Sequence, residues 1–256
     1  MQDLKITTVQ ANQIWENKQA NLAHYETLIA SIEPTDILVF PEMFHTGFSM
    51  DVESLAETME KSIGLDWLKN CAQSKNCAVY TSLIIEENGL CFNRGVFIEP
   101  SGKLTIYNKR KCFSLAHEDE FFTAGQNEVI VPYKSWKIQL QICYDLRFPE
   151  IVRNRIEENT PAYDVILYVA NWPKKRAEHW KALLQARAIE NQCYVVGVNR
   201  IGTDGKGLEY SGDSSCFNAL GIKEYSLFDL EHAHPITLSF KELSEVRNSI
   251  PFLKDR

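Results

Sequence analysis

Apolar and polar residues alternate over Leu4–Ala11 (LKITTVQA), and several are β-branched, which predicts a strand. Farther on, Leu22, Tyr25, Ile29 and Ile32 recur at helical spacing and mark one face of an amphipathic helix. Asp36–Phe40 (DILVF) is a short apolar run, the pattern of a strand covered on both faces, and it stops at Pro41-Glu42. Strand, helix and strand in quick succession predict a layered α/β fold.

A second helix is expected over Leu65–Lys75, with Ser62 near its start. Ala78–Glu86 then reads as a strand, Asn88-Gly89 as a hairpin turn and Cys91–Ile98 as the partner strand. Ser101-Gly102 turns the chain into Leu104–Asn108, so this part is antiparallel and the sheet is expected to be mixed. A polar loop follows from Lys109 to Asn127, and Trp136–Ile142 (WKIQLQI) is a clear strand that ends at Cys143.

The early rhythm then returns. A helix is expected from near Pro149, a buried strand over Val165–Ala170, a helix over about His179–Asn191 and a buried strand over Tyr194–Asn199. Gly202–Gly212, rich in glycine and polar residues, is expected as a surface loop. Beyond it the strands are weak and charged, and the final segment is a candidate to pack on a neighbour. No linker or low-complexity stretch interrupts the chain, so residues 1–256 are expected to form one domain. The matching rhythm of the halves points to a sandwich of two related layers.

Composition narrows the function. With 256 residues, 45% apolar and 24% charged, the chain has the make-up of a soluble globular protein with a large core. A formal charge of −7 disfavours nucleic acid or an anionic membrane as partner, yet leaves room for a small anion in a locally basic pocket. No run approaches the ~18 apolar residues of a membrane-spanning helix, and Met-Gln-Asp-Leu-Lys lacks the layout of a signal peptide. Seven scattered cysteines without a Cys-x-x-Cys pair fit neither a disulfide framework nor a zinc site, and suit a reducing cytoplasm.

Three strand ends carry candidate chemistry. Cys143 sits where an apolar strand meets the helix expected from Pro149, a place where helix N-terminal amides favour a thiolate. A cysteine is more often a small core residue, and the other six are assigned to that role. Glu42 follows directly on a buried strand, where a carboxylate needs a partner; it is either a base held in a low-dielectric pocket or a cap. Lys109 opens a basic triplet that is commonly just a solvated face. Carboxylate, ammonium and thiol together are the set that acyl transfer from an amide requires: base, oxyanion stabiliser and nucleophile.

The chain resembles the nitrilase superfamily of carbon–nitrogen hydrolases. The matching motifs are Phe40-Pro41-Glu42-Met43-Phe44, Tyr107-Asn108-Lys109-Arg110-Lys111 and Ile142-Cys143-Tyr144-Asp145-Leu146-Arg147-Phe148-Pro149-Glu150, in the family's order. The likeness continues through Arg187-Ala188-Ile189-Glu190-Asn191. It implies a four-layer α-β-β-α sandwich with mixed sheets, and a Glu42-Lys109-Cys143 triad acting without metal or cofactor. It also implies a second glutamate, with Glu118 of His117-Glu118-Asp119-Glu120 the choice and Glu120 the fallback. In the implied mechanism a Cys143 thioester forms, and the Tyr144 N–H joins Lys109 at the oxyanion.

Ala170-Asn171-Trp172-Pro173, with His179-Trp180 after it, resembles the bacterial omega-amidases, which release ammonia from 2-oxoglutaramate and 2-oxosuccinamate. Such anionic substrates need a cation in the pocket, and Arg147 and Arg176 are the candidates. Arg147 could instead pair with Asp145 or Glu150, and Arg176 could lie in a solvated loop. Phe44 and Trp172 are candidate pocket walls or core aromatics, and Arg187 and Glu190 a buried pair. Rival readings are another amidase, carbamoylase or nitrilase with the same triad, a Cys-His protease using His45, His117 or His179, and a silent binding protein. The resemblance also implies at least a homodimer packed through its helical layers.

Overall fold

The computed structural model describes residues 2–256. Its first half runs β1 (Leu4–Gln10), α1 (Lys18–Ile29), β2 (Ile37–Val39), α2 (Val52–Leu55), α3 (Ile63–Lys75), β3 (Ala78–Glu87), β4 (Leu90–Ile98) and β5 (Leu104–Asn108). It continues with α4 (Glu118–Phe121), β6 (Ile130–Tyr133), β7 (Trp136–Ile142) and a small hairpin of β8 (Ile156–Glu157) and β9 (Thr160–Pro161). Then come β10 (Val165–Ala170), α5 (Ala177–Asn191), β11 (Tyr194–Asn199), β12 (Ile201–Thr203), β13 (Glu209–Phe217), β14 (Lys223–Phe228), β15 (His232–Leu238) and α6 (Phe240–Ser249).

One sheet is ordered β15-β1-β2-β3-β4-β5 and the other β12-β13-β11-β10-β7-β6, with β14 beside β13. Each has a parallel centre, β1-β2-β3 in one and β7-β10-β11 in the other, flanked by antiparallel strands. The side-chain period of two explains why β2 is apolar throughout: Ile37 and Val39 enter the core between the sheets, while Leu38 faces outward onto α1 and α3. From α1, Leu22, Tyr25 and Ile29 meet that outer face, and from α3, Leu65, Leu68 and Ala72. On the opposite side Trp180, Leu184 and Ala188 of α5 cover the second sheet. Gly197 lets α5 come this close, because a Cβ there would lie 2.6 Å from Leu184 Cδ1 and 2.7 Å from the Trp180 ring. The result is the expected four-layer α-β-β-α sandwich with mixed sheets.

Local signals explain the boundaries. Ser62 caps α3 by accepting the Leu65 N–H at 2.9 Å. Asn88 and Gly89, with φ of 55° and 77°, close the two-residue turn between β3 and β4, the left-handed pair such hairpins demand.

Two expectations are corrected. The helix expected from Pro149 is only a pair of 3-10 turns, Cys143–Arg147 and Pro149–Ile151; Phe148, before proline, leaves the helical region at φ −113° and ψ 89°. Gly202–Gly212 is not a surface loop but the β12–β13 hairpin, with Ile201 opposite Ser211 and Thr203 opposite Glu209. Asp204, Tyr210 and Ser211 are buried while Thr203 and the tip, residues 205–209, are exposed, so paired strands here carry the composition of a loop. The C-terminal segment packs on its own chain: Leu243 and Leu253 are buried, and Arg247 pairs with Asp164 at 2.6 Å. All seven cysteines are free, and among the described residues no helix is long and apolar enough to cross a membrane.

Candidate active site

The strand ends converge at one edge of the sandwich. Glu42 follows β2, Lys109 follows β5, and Cys143 follows β7. Asn171 follows β10, which lies parallel to β7 with Val169 opposite Ile142. Cys143 has a left-handed φ of 44° and opens the 3-10 turn Cys143–Arg147, and Met43, after Glu42, has a φ of 45°. Such conformations cost energy in a non-glycine residue and persist where surrounding contacts fix them. Asp145 does so at the nucleophile: its buried carboxylate accepts the N–H of Ile142 at 3.0 Å, the N–H of Lys111 at 2.9 Å and the hydroxyl of Tyr107 at 2.8 Å. One carboxylate thus ties the cysteine turn to the segment that carries Lys109.

Glu42, Lys109 and Glu118 are fully buried together. Lys109 Nζ donates to Glu42 Oε1 and to both oxygens of Glu118, each at 2.9 Å. Asn93, opposite the start of the Lys109 segment on β4, donates through Nδ2 to Glu42 Oε1 at 2.7 Å and to Glu118 Oε1 at 3.2 Å. The Phe113 N–H fills the remaining site on Glu118 Oε2 at 2.6 Å. Each Glu118 oxygen therefore receives two donors, leaving no lone pair for a proton. Glu42 differs. Its Oε1 receives two donors, but Oε2 receives only the Asn171 N–H at 2.9 Å and keeps one acceptor site. The Cys143 Sγ is 3.9 Å from the Asn171 carbonyl oxygen, and the Glu42 carboxylate is near enough to act on the charge of the thiol.

Burial opposes the charge on Lys109, but Glu118 and Glu42 outweigh it and hold its pKa well above the lysine range. Burial, reinforced by Glu42 and opposed by Lys109, pushes the Cys143 thiol well above its ordinary range. The thiolate expected from helix N-terminal amides is therefore not the resting state. Burial and the nearby Glu42 and Glu118 carboxylates account for the reversal. Glu118 is raised by burial, with Lys109 working against that and Glu42 adding to it.

A pocket opens from Cys143 and Lys109 toward solvent between Phe48, Phe113, Tyr144, Trp172 and Tyr210. Arg147 and Arg176 reach its mouth; Arg147 lies over the Trp172 ring at 4.7 Å and Arg176 over Phe113 at 5.4 Å. Neither has a carboxylate partner among the described residues, so Arg147 does not pair with Asp145 or Glu150. Phe44 is corrected: it is buried in an aromatic cluster with Tyr25, Phe40 and Trp67, and Phe48, one helical turn's spacing later, lines the pocket instead. Glu120 points outward and pairs with His117 at 2.8 Å, whereas Glu118 is inside. His45 pairs with Glu57 and His179 approaches Arg147, so none of these histidines lines the pocket with Cys143. Arg187 and Glu190 form the expected pair at 3.0 Å.

Asn93, Asn171, Phe48 and Tyr210 were not singled out from sequence. Asn171 had a usable signal, since it follows a buried strand; Asn93 lies mid-strand between Phe92 and Arg94 and had none.

The sequence matches the carbon–nitrogen hydrolase family over residues 5–223. It is 39% identical to omega-amidase YafV of Escherichia coli (strain K12), over 100% of this chain and 97% of that protein. It is 31% identical to a 2-oxoglutaramate amidase of Bacillus subtilis (strain 168), over 86% of this chain and 84% of that one. Among solved structures, XC1258 of Xanthomonas campestris, described as a CN-hydrolase superfamily protein with an arsenic adduct in its active site, superposes with a TM-score of 0.97 at 36% identity, covering 100% of this chain and 98% of that one. Sequence, fold and buried site agree: the chain belongs to the carbon–nitrogen hydrolase family of the nitrilase superfamily.

Proposed function

We propose that this amidase is an omega-amidase, cleaving the terminal amide of 2-oxoglutaramate or 2-oxosuccinamate to the oxo dicarboxylate and ammonia. The observation that carries the reading is a buried Glu42-Lys109-Cys143 constellation opening beneath two guanidinium groups that lack carboxylate partners. The substrate's amide would enter toward Cys143, and its distal carboxylate would meet Arg147 and Arg176. The similarity to the two amidases named above supports the same substrate class.

Chemistry begins with Cys143 protonated. Glu42 Oε2 takes the thiol proton as sulfur attacks the amide carbon. The oxyanion is held by Lys109, which turns one of its bonds away from Glu118, and by the Tyr144 N–H, which precedes the first internal bond of its 3-10 turn. The C–N bond breaks as Glu42 returns the proton to nitrogen, leaving a thioester and ammonia. Water then attacks the thioester, giving its proton to Glu42, and the thiol is restored with release of the carboxylic acid. Glu118 fixes Lys109 through both of its oxygens.

Ammonia release from 2-oxoglutaramate, measured beside asparagine, glutamine, simple nitriles and carbamoyl amino acids, tests the substrate. Faster turnover of any of these competitors than of both oxo-acid amides would overturn it in favour of another amidase, carbamoylase or nitrilase. Seven free thiols fit a reducing cytoplasm. Exposed Ile189 on α5, with Leu220 and Ile222 beside it, supports a homodimer packed through the helical layer, which sedimentation would detect.

A further inference from the structure

Asn93 is buried on β4, and the backbone N–H of Lys109 donates to its carbonyl at 3.0 Å. Both hydrogens of its amide go to carboxylates, at 2.7 Å to Glu42 and 3.2 Å to Glu118. The opposite amide orientation would set Oδ1 against two anionic oxygens, so the network fixes which atom is which. The consequence is visible on the other side: Asn93 Oδ1 is buried with no partner. A purely structural asparagine does not normally keep an acceptor buried and unpaired. Here the two donors outweigh the orphaned oxygen.

We infer that Asn93 is a positioning residue for the hydrolysis, clasping Glu42 and Glu118 side by side and closing Glu42 Oε1, so that the proton from Cys143 can be carried only at Oε2. This rests on the reading that Glu42 is the base. Without Asn93, Oε1 would accept a proton too, on the side of the carboxylate turned toward Lys109. Carboxyl rotation would then separate the proton from the thiol. The titratable groups facing Glu42 are Lys109, Glu118 and Cys143, with the Tyr80 phenol behind them. None of these can replace an amide that gives two hydrogens and carries no charge.

The test is the pH profile of kcat/KM for the best amide substrate in Asn93→Leu and Asn93→Ser. A carboxylate that loses a donor holds its proton more tightly, so the acid limb should move up by about 1 pH unit in Asn93→Leu. Asn93→Ser keeps one hydroxyl donor and should move less. At the optimum, kcat should fall by about 100-fold in Asn93→Leu with KM within a few-fold, because proton transfer and not binding is impaired. An acid limb unmoved in both variants, with activity lowered evenly at every pH, would overturn the assignment. If Asn93→Leu does not fold, the limb of Asn93→Ser decides alone. Cys143→Ala and Glu42→Gln measured in parallel separate the two readings: full activity in either removes the triad itself, whereas inactive triad variants with unmoved Asn93 limbs remove only the clasp.

Discussion

Four donated hydrogen bonds hold the two oxygens of Glu118, and two of them come from Lys109. Replacing Glu118 by Gln turns an acceptor into an amide N–H facing the ammonium and frees Lys109 to swing. We expect kcat to fall by about 100-fold while KM stays within a few-fold, as initial rates across substrate concentration will report. The cations at the mouth should behave in the opposite sense. Arg147→Gln and Arg176→Gln should each raise KM for 2-oxoglutaramate by about 10-fold, the worth of a lost hydrogen bond to a charged group, and leave simple uncharged amides unaffected. An equal loss on charged and uncharged amides would remove both arginines from carboxylate recognition. At this scale Glu42, Lys109 and Cys143 were legible because each ends a strand and carries a charge or a thiol. Phe44 misled because an aromatic beside a catalytic glutamate fits core and pocket alike; only its burial against Tyr25 and Trp67 decides.

Elements fix the site through close approaches. A Cβ at Gly125 would lie 2.2 Å from the carbonyl oxygen of Asn108, a backbone atom next to Lys109, and the Gly125 N–H donates to the Lys109 carbonyl at 2.8 Å. Gly125→Ala must therefore displace the lysine segment. Its kcat should drop more than its melting temperature, which paired kinetics and thermal melts will separate. The cap of α3 makes a purely structural contrast: Ser62→Ala loses both the bond from Leu65 and the bond to the Glu57 carboxylate, and should cost about 2 kcal/mol in urea unfolding without changing KM. Strands β10 and β11 were readable to the residue because parallel central strands are apolar on both faces, and β7 because Trp136, Ile138, Leu140 and Ile142 alternate with polar residues. The β12–β13 hairpin was not, because its tip, residues 205–209, is exposed and its buried Asp204 and Tyr210 are polar partners beside the pocket, so the whole segment looks like solvent-facing loop.

For the whole molecule, one buried cluster away from the chemistry links stability to pH. Burial works against ionisation of Glu57, but hydrogen bonds with His45, Ser62 and Lys18 prevail and hold its pKa down to about 2. A folded-state pKa below the unfolded value means that the carboxylate contributes stability above about pH 4.5, and that this is lost as pH falls toward 2. The stability gap between the wild type and Glu57→Gln, taken from urea unfolding, should accordingly be wide at pH 6 and close as the pH approaches 2.5. A gap constant with pH would contradict that. The cluster joins α1, the turn after Glu42 and the start of α3, which pack outside the first sheet. It was invisible in the sequence because its members are scattered over Lys18, His45, Glu57 and Ser62 with no shared spacing. The sandwich itself was foreseeable from the repeated strand–helix rhythm, since each apolar strand demands cover on two faces.

The central claim is that Cys143 becomes acylated by the substrate. Rapid-quench mass spectrometry with 2-oxoglutaramate should find an added mass equal to substrate less ammonia, mapped to the peptide carrying Cys143 and absent from Cys143→Ala. Ammonia release that continues undiminished in Cys143→Ala, or an adduct on any other residue, would contradict the account.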